Sequence, residues 1–193
     1  MATTGQVSPT YAINAAEAPW FGRQWNTPLN VLSDNDLTAN IIHPAFDNGV
    51  RSYALKAYIF DGFSVIPDNA TINGVICRVN TWYRAGQGSG SLGLCQLLDP
   101  EGTRAGLNQC ASPIALTTDN TTIITRGSST DTWWNLLTPD WVKNPMFGVA
   151  LGVIATADNA DVDIDYVTLE IYYTVPAAAV DDPHLRFTIG YRT

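Results

Sequence analysis

Three aspartates occupy alternate positions in the stretch ADVDIDYVTLEIYYT, residues 160–174. Carboxylates at this spacing could ligate a hard cation, act as paired catalytic acids, or line one face of a strand. In an extended chain, side chains two apart point the same way and sit about 7 Å from each other. Calcium asks for six to eight oxygens from a curved loop, which one straight strand does not supply. The first reading is therefore a solvated face plus one structural aspartate. A hard cation comes second and a catalytic pair third. The apolar residues around them sharpen this. Val162, Ile164 and Tyr166 share one parity, while Val167, Leu169, Ile171 and Tyr173 share the other. A regular strand cannot bury both sets on one face. Either a bulge lies near Asp165–Tyr166 or the chain passes between two sheet environments. Asp161 and Asp163 are then expected in solvent. Asp165, at the switch, is expected to accept backbone N–H groups that the ladder leaves open.

Other chemistry is sparse. The two histidines, His43 and His184, stand in NIIHPAF and DDPHLRF, and neither belongs to a nucleophile or zinc motif. No GxSxG, HExxH, P-loop or GxGxxG pattern occurs. GQGSG at 86–90 has no lysine and no helix after it, so it reads as a hairpin loop. Cys77, Cys95 and Cys110 are odd in number and widely spaced, against a disulfide framework or a zinc site, and Cys77 reads as a buried free thiol. No catalytic residue, cofactor or metal is assigned, and the chain is expected not to be an enzyme. Aromatics are the richer signal. Trp20, Trp25, Trp133 and Trp134 are candidates for a glycan-stacking platform or for a subunit interface. In the competing reading Trp141 and Phe147 cap a core, and Trp20 and Trp25 staple an N-terminal arm across it.

These residues need a scaffold, and the scaffold reads as all-β. SYALKAYIF (52–60), GVICRVNTWY (74–83), SLGLCQLL (91–98), TTIIT (121–125) and FGVALGVIATA (147–157) are short β-rich runs. Asp-Asn pairs at Asp68, Asp119 and Asp158 stand just before strand-like runs, as turn formers do. Val75, Cys77 and Val79 share one face, as do Phe147, Val149, Leu151 and Val153, with Gly148 and Gly152 opposite. The expected helix is one turn at TPDWV, capped by Thr138 with Pro139 first and Asp140 near the positive end, ending before Pro145. The expected fold is an antiparallel β-sandwich, jelly-roll-like. An N-terminal arm (1–24), a sandwich (25–174) and a linker with a C-terminal strand arm (175–193) divide the chain. In the last, Leu185, Phe187, Ile189 and Tyr191 alternate with polar residues or glycine, and such a strand must pair with an edge.

Composition narrows the partners. Of 193 residues only 15% are charged, and the net charge is −8. A typical domain carries about 25% charge, and a charge-poor surface suits contact with neighbours. Without a basic block, neither nucleic acid nor an anionic membrane is an expected partner. The first residues lack the basic and apolar regions of an export signal, so export by signal cleavage is not expected.

Four stretches carry a resemblance. WNTPLNVLSDND (25–36), FSVIPDNATINGVICRVNTWYRA (63–85), LTPDWVKNPMFGVALGV (137–153) and DYVTLEIYYT (165–174) occur in this order. Together they resemble a class of β-sandwich virion proteins of tailed bacteriophages. In that class a Pro-x-x-Ala-Thr-Ile-x-Gly stretch opens a central strand, and a Trp-Thr-Pro-like turn precedes Phe-Gly-Val. Here Leu137 stands where that tryptophan often does. The resemblance covers about residues 25–174. It implies a structural role in the virion, made in the bacterial cytoplasm. The favoured form is a head decoration (cement) protein that exchanges arms with neighbours, contacts the major capsid protein or other virion proteins, and forms a homo-oligomer, a trimer first. A tail, baseplate or head-fibre component is the alternative. A carbohydrate-binding host-adsorption module is the alternative of another class. If residues 175–193 form an arm for neighbours, removing residues 176–193 leaves a domain with an intact cooperative melt and weakened assembly. A truncated chain that cannot fold would place the strand in the domain's own core.

Overall fold

The alternating runs become strands, and two of them are long. The protein is described by a computed structural model covering residues 1–42, 47–133 and 136–177. One antiparallel sheet takes β1 (Ala2–Thr3), β3 (Ala39–Ile41), β5 (Thr71–Tyr83), β9 (Ile123–Gly127) and β11 (Val162–Thr174). Its order is β1-β11-β5-β9, and β3 joins β11 beyond β1. The other takes β2 (Tyr11–Ala15), β4 (Ala54–Tyr58), β6 (Gly90–Leu98), β7 (Arg104–Ala105), β8 (Ile114–Ala115) and β10 (Gly148–Ala155), in the order β2-β4-β10-β6-β7, with β8 on β6. The result is an antiparallel, jelly-roll-like β-sandwich. β5 and β6 lie in different sheets, so GQGSG, expected as a hairpin loop, crosses between sheets and closes no hairpin.

The core lies where the parity of each strand puts apolar residues face to face. Val75, Cys77 and Val79 of β5 and Val167, Leu169 and Ile171 of β11 oppose Val149, Leu151 and Val153 of β10 and Leu55 of β4, all buried in one cluster. Cys77, Cys95 and Cys110 are buried free thiols. The expected bulge is present. Ile164 pairs with Thr81 and Val167 with Val79, so Asp165 and Tyr166 together stand opposite Asn80. The extra residue resets the parity, and both apolar sets face inward. The single helical turn also forms, as α1 (Pro139–Lys143), with the Trp141 N–H donating to Thr138 Oγ1 at 3.1 Å.

The outer face of the second sheet holds a second, smaller core. Trp20 packs there on Ala54, Tyr58, Leu94, Leu98 and Ala150. Two glycines make the slot: a Cβ on Gly152 would lie 2.6 Å from the Trp20 ring, and one on Gly93 would lie 3.0 Å from it. Gly93 is also the extra residue of a bulge in β6, where Val153 pairs with Leu92 and Gly152 with Leu94. Arg51 stacks over the indole at 5.8 Å. Glu17 ties the same strap down through Lys56 and, at 3.0 Å, Arg104.

Residues 1–24, expected as an arm held by partner subunits, are therefore engaged by their own domain. β1 and Val7 run along β11, β2 completes an edge of the second sheet, and the strap carrying Trp20 crosses its face. Edge pairing within the chain satisfies backbone groups that an arm would have offered to a neighbour. Trp20→Ala empties the slot over Gly93 and Gly152 and is expected to cost about 3–5 kcal/mol. Urea denaturation measures this, and an unchanged midpoint would show that the strap adds nothing to the fold.

Candidate functional site

The three aspartates do three different things, and none is solvated. Asp163 is 1% exposed. Arg84 grips it with a fork, Nε donating to Oδ2 at 2.7 Å and Nη2 to Oδ1 at 2.8 Å, and Thr38 Oγ1 donates to Oδ1 at 2.7 Å. The carboxylate in turn holds the Arg84 guanidinium firmly in its charged form. Asp161 is buried beside them, and its carbonyl accepts the Arg84 N–H at 2.9 Å. The expectation of solvent for Asp161 and Asp163 is thus corrected. On the outward face of β11, Thr38 from the loop before β3 and the Arg84 side chain cover Asp163, and the forked arginine compensates the buried charge.

Asp165 is different. The bulge turns it toward a polar cleft of about 260 Å³ lined by Asp34, Asp36, Asn80, Asn120, Thr121, Ile123, Asp165 and Tyr166. One wall is the loop 33–38, tied down where Thr27 Oγ1 and Asn30 Nδ2 both donate to the Thr38 carbonyl at 3.0 Å. The other is the turn before β9, where Asp119 Oδ1 accepts the Thr121 N–H at 2.9 Å. Asn80 joins floor to wall, its Nδ2 donating to the Asn120 carbonyl at 2.8 Å. The Asp165 carboxyl is pushed above its ordinary range, first by burial and further by the charges of Asp34 and Asp36. The Asn35 N–H donated to it opposes this only in part. Asp165 does accept a backbone N–H as expected, but from the neighbouring loop rather than from the ladder.

A second open cleft, of about 380 Å³, is lined by Gly22, Arg23, Gln24, Asn26, Ile41, Ile42 and Tyr53. It contains no carboxylate among these residues. It lies beside the strap whose tryptophans were candidate stacking surfaces. Those tryptophans are turned inward. Trp20 fills its slot. Trp25 is buried with Nε1 donating to the Tyr53 carbonyl at 2.9 Å, and Trp133 is buried with Nε1 donating to the Val75 carbonyl at 3.1 Å. None of the three presents a ring face to a sugar. Trp134, both histidines and the C-terminal residues Leu185, Phe187, Ile189 and Tyr191 lie outside the described residues. Among the described residues, no three or more His, Cys, Asp or Glu side chains are grouped to hold a metal ion, and no helix is long and apolar enough to cross a membrane.

The cleft residues Asp34, Asp36, Asn80 and Asn120 were not singled out as a site in the sequence. The one local signal was SDND at 33–36, which reads as a turn. Only the bulge brings Asp165 to it.

No family model matches the sequence, and no curated protein matches it. Among solved structures, a xylan-binding module CBM15 is 17% identical over 75% of this chain and 83% of its own, with a TM-score of 0.33. The CBM22-1 xylan-binding domain from Paenibacillus barcinonensis Xyn10C is 12% identical over 89% and 97%, also at 0.33. A third, a crystal structure with xylogluco-oligosaccharide, is 10% identical over 88% of this chain and 37% of its own, again at 0.33. Similarity of this order identifies no relative and no ligand.

Asp163 and Asp165 should respond oppositely to the same change. Asp163→Asn breaks the fork and is expected to cost about 1–3 kcal/mol. That is less than the roughly 3–5 kcal/mol of a fully buried pair, because the Arg84 side chain is 42% exposed and can return to water. The folded value of Asp165 lies above its unfolded one, so its contribution is full below the unfolded pKa of about 3.9 and is lost as pH rises through the folded value. In chelator, Asp165→Asn is therefore expected to match or raise the wild-type Tm at pH 7 and to give no gain at pH 3. Thermal melts at the two pH values check both, and a lower Tm for Asp165→Asn at pH 7 would contradict the assignment.

Proposed function

We propose that this chain is a structural subunit of a tailed-phage virion, with no reaction of its own, that joins its neighbours through one end of the sandwich. The observation that carries the reading is the character of that end. The pairings Tyr58–Gly148–Leu98 and Thr71–Thr174 define it, and the connection 59–70 and residues 136–147 lie across it. β1 begins there and β11 ends there. Exposed apolar side chains gather at the same end: Met1, Tyr11, Val65, Leu136, Met146 and Val175, with Val65 63% and Leu136 91% exposed. Apolar surface of this kind on a charge-poor protein suits burial against another protein. The four stretches that resemble phage virion sandwiches support the same reading.

Within the virion, decoration of the head is the specific proposal, with the major capsid protein and further copies of this chain, as a trimer, as partners. The N-terminal segment is occupied within its own domain, so arm exchange falls to residues beyond Val175. A second reading is adsorption to host glycans. It is favoured by Phe21, which is exposed on the strap beside the 380 Å³ cleft and its Arg23, Gln24 and Asn26.

Quantitative mass spectrometry of purified virions tests the proposal. A copy number near that of the shell protein, or near one trimer per local three-fold, is expected. A few copies per hundred shell subunits would move the protein to the tail or a vertex, and absence from virions would end the reading. Leu136→Asp with Val65→Asp is expected to leave Tm within a degree or two and to lower incorporation at least tenfold. Quenching of tryptophan fluorescence by host polysaccharide, abolished by Phe21→Ala, would support adsorption instead.

A further inference from the structure

The cleft at the β11 bulge has a chemical deficit that the protein itself does not fill. Asp165 and Asn80 are each 5% exposed, and Oδ1 of each is buried without a hydrogen-bond partner. A buried acceptor left unmet is destabilising, and native proteins leave few of them. Asn80 cannot relieve its own deficit by turning, because its Nδ2 is committed to the Asn120 carbonyl. The two residues are neighbours across the ladder, since the bulge sets Asp165 opposite Asn80, and both line the cleft. The other groups on the lining are Asp34, Asp36, Asn120, Thr121, Ile123 and Tyr166, with no lysine or arginine among them. The site is rich in oxygen acceptors and negative charge and poor in donors.

We propose that this cleft binds one calcium ion, held by the carboxylates of Asp165 and Asp34 and the side-chain carbonyl of Asn80, with water completing the shell. A donor set made only of oxygen selects a hard cation over zinc or copper. Three segments far apart in sequence supply the ligands, so the geometry is irregular, and the cleft is open enough to keep water. Calcium accepts six to eight oxygens in irregular arrangements, whereas magnesium demands a near-ideal octahedron. No three carboxylate, histidine or cysteine side chains among the described residues are grouped to hold an ion alone. The amide oxygen and water therefore carry much of the shell, and affinity falls in the weak range of about 10⁻⁴–10⁻³ M. The crowding of Asp165 by Asp34 and Asp36 is what a cation would relieve. The inference is independent of the virion reading.

The test uses the full chain, freed of divalent ions by chelator. Terbium should give emission sensitised by Tyr166, and calcium should displace it with a midpoint of about 0.1–1 mM. Calcium at 10 mM should raise Tm by several degrees, and magnesium at the same concentration should raise it much less. Asp34→Asn, at an exposed position, and Asp165→Asn should each abolish both effects while leaving the chelator-treated Tm no lower than wild type. If Asp165→Asn fails to fold, Asp34→Asn decides alone. The proposal is overturned if calcium leaves the wild-type Tm unchanged, if magnesium acts equally, or if the calcium effect survives in Asp34→Asn.

Discussion

One extra residue in β11 organises much of this protein. A strand alternates its side chains strictly, so Val162 and Ile164 cannot face the same core as Val167, Leu169 and Ile171 unless the alternation is broken once. The break at Asp165–Tyr166 lets β11 stay paired with β5 over its whole length and still bury both apolar sets. Without it, half of the strand would present its apolar side chains to solvent and its carboxylates to the core. The bulge also fixes what lies outside. It directs Asp165 and Tyr166 over Asn80, at the gap between β3 and the N-terminal residues that otherwise line the edge of β11. The polar cleft is thus a by-product of the register the core requires.

The second sheet solves a related problem differently. Its outer face carries Ala54, Leu94, Leu98, Ala150 and two glycines, a flat apolar surface that water would not tolerate well. Here the N-terminal strap closes it with Trp20 and anchors itself through Glu17 to Lys56 and Arg104. Exposed apolar surface is left mainly at the ends of the sandwich. At one of them β1 begins and β11 ends.

Some of this was legible in the sequence. The runs at 74–83, 91–98 and 147–157 became β5, β6 and β10, and the parity change in residues 162–173 announced its bulge. Thr138-Pro-Asp gave a capped turn of helix as expected. Each of these rests on interactions within a few residues: side-chain alternation, a cap, a fixed proline φ. The errors lie elsewhere. Asp161 and Asp163 look solvated in a strand that alternates acid with apolar residues, yet Thr38 and Arg84 arrive from distant segments and bury them. Trp20, Trp25 and Trp133 could have stood outward or inward on the same backbone. Carbonyls of Tyr53 and Val75, and a slot cut by Gly93 and Gly152, turned them in.

The sequence by itself determined the element types, the all-β class and the place where β11 must bulge, because these follow from local periodicity and from the steric limits of single residues. Only the tertiary structure decided which carboxylates are paired and which is left crowded, which tryptophans are covered, and that residues 1–24 belong to their own domain. Each of those outcomes depends on which distant segment occupies the far side of a sheet. Pairing of that kind is set by the whole chain's packing, and no short stretch of it carries the information.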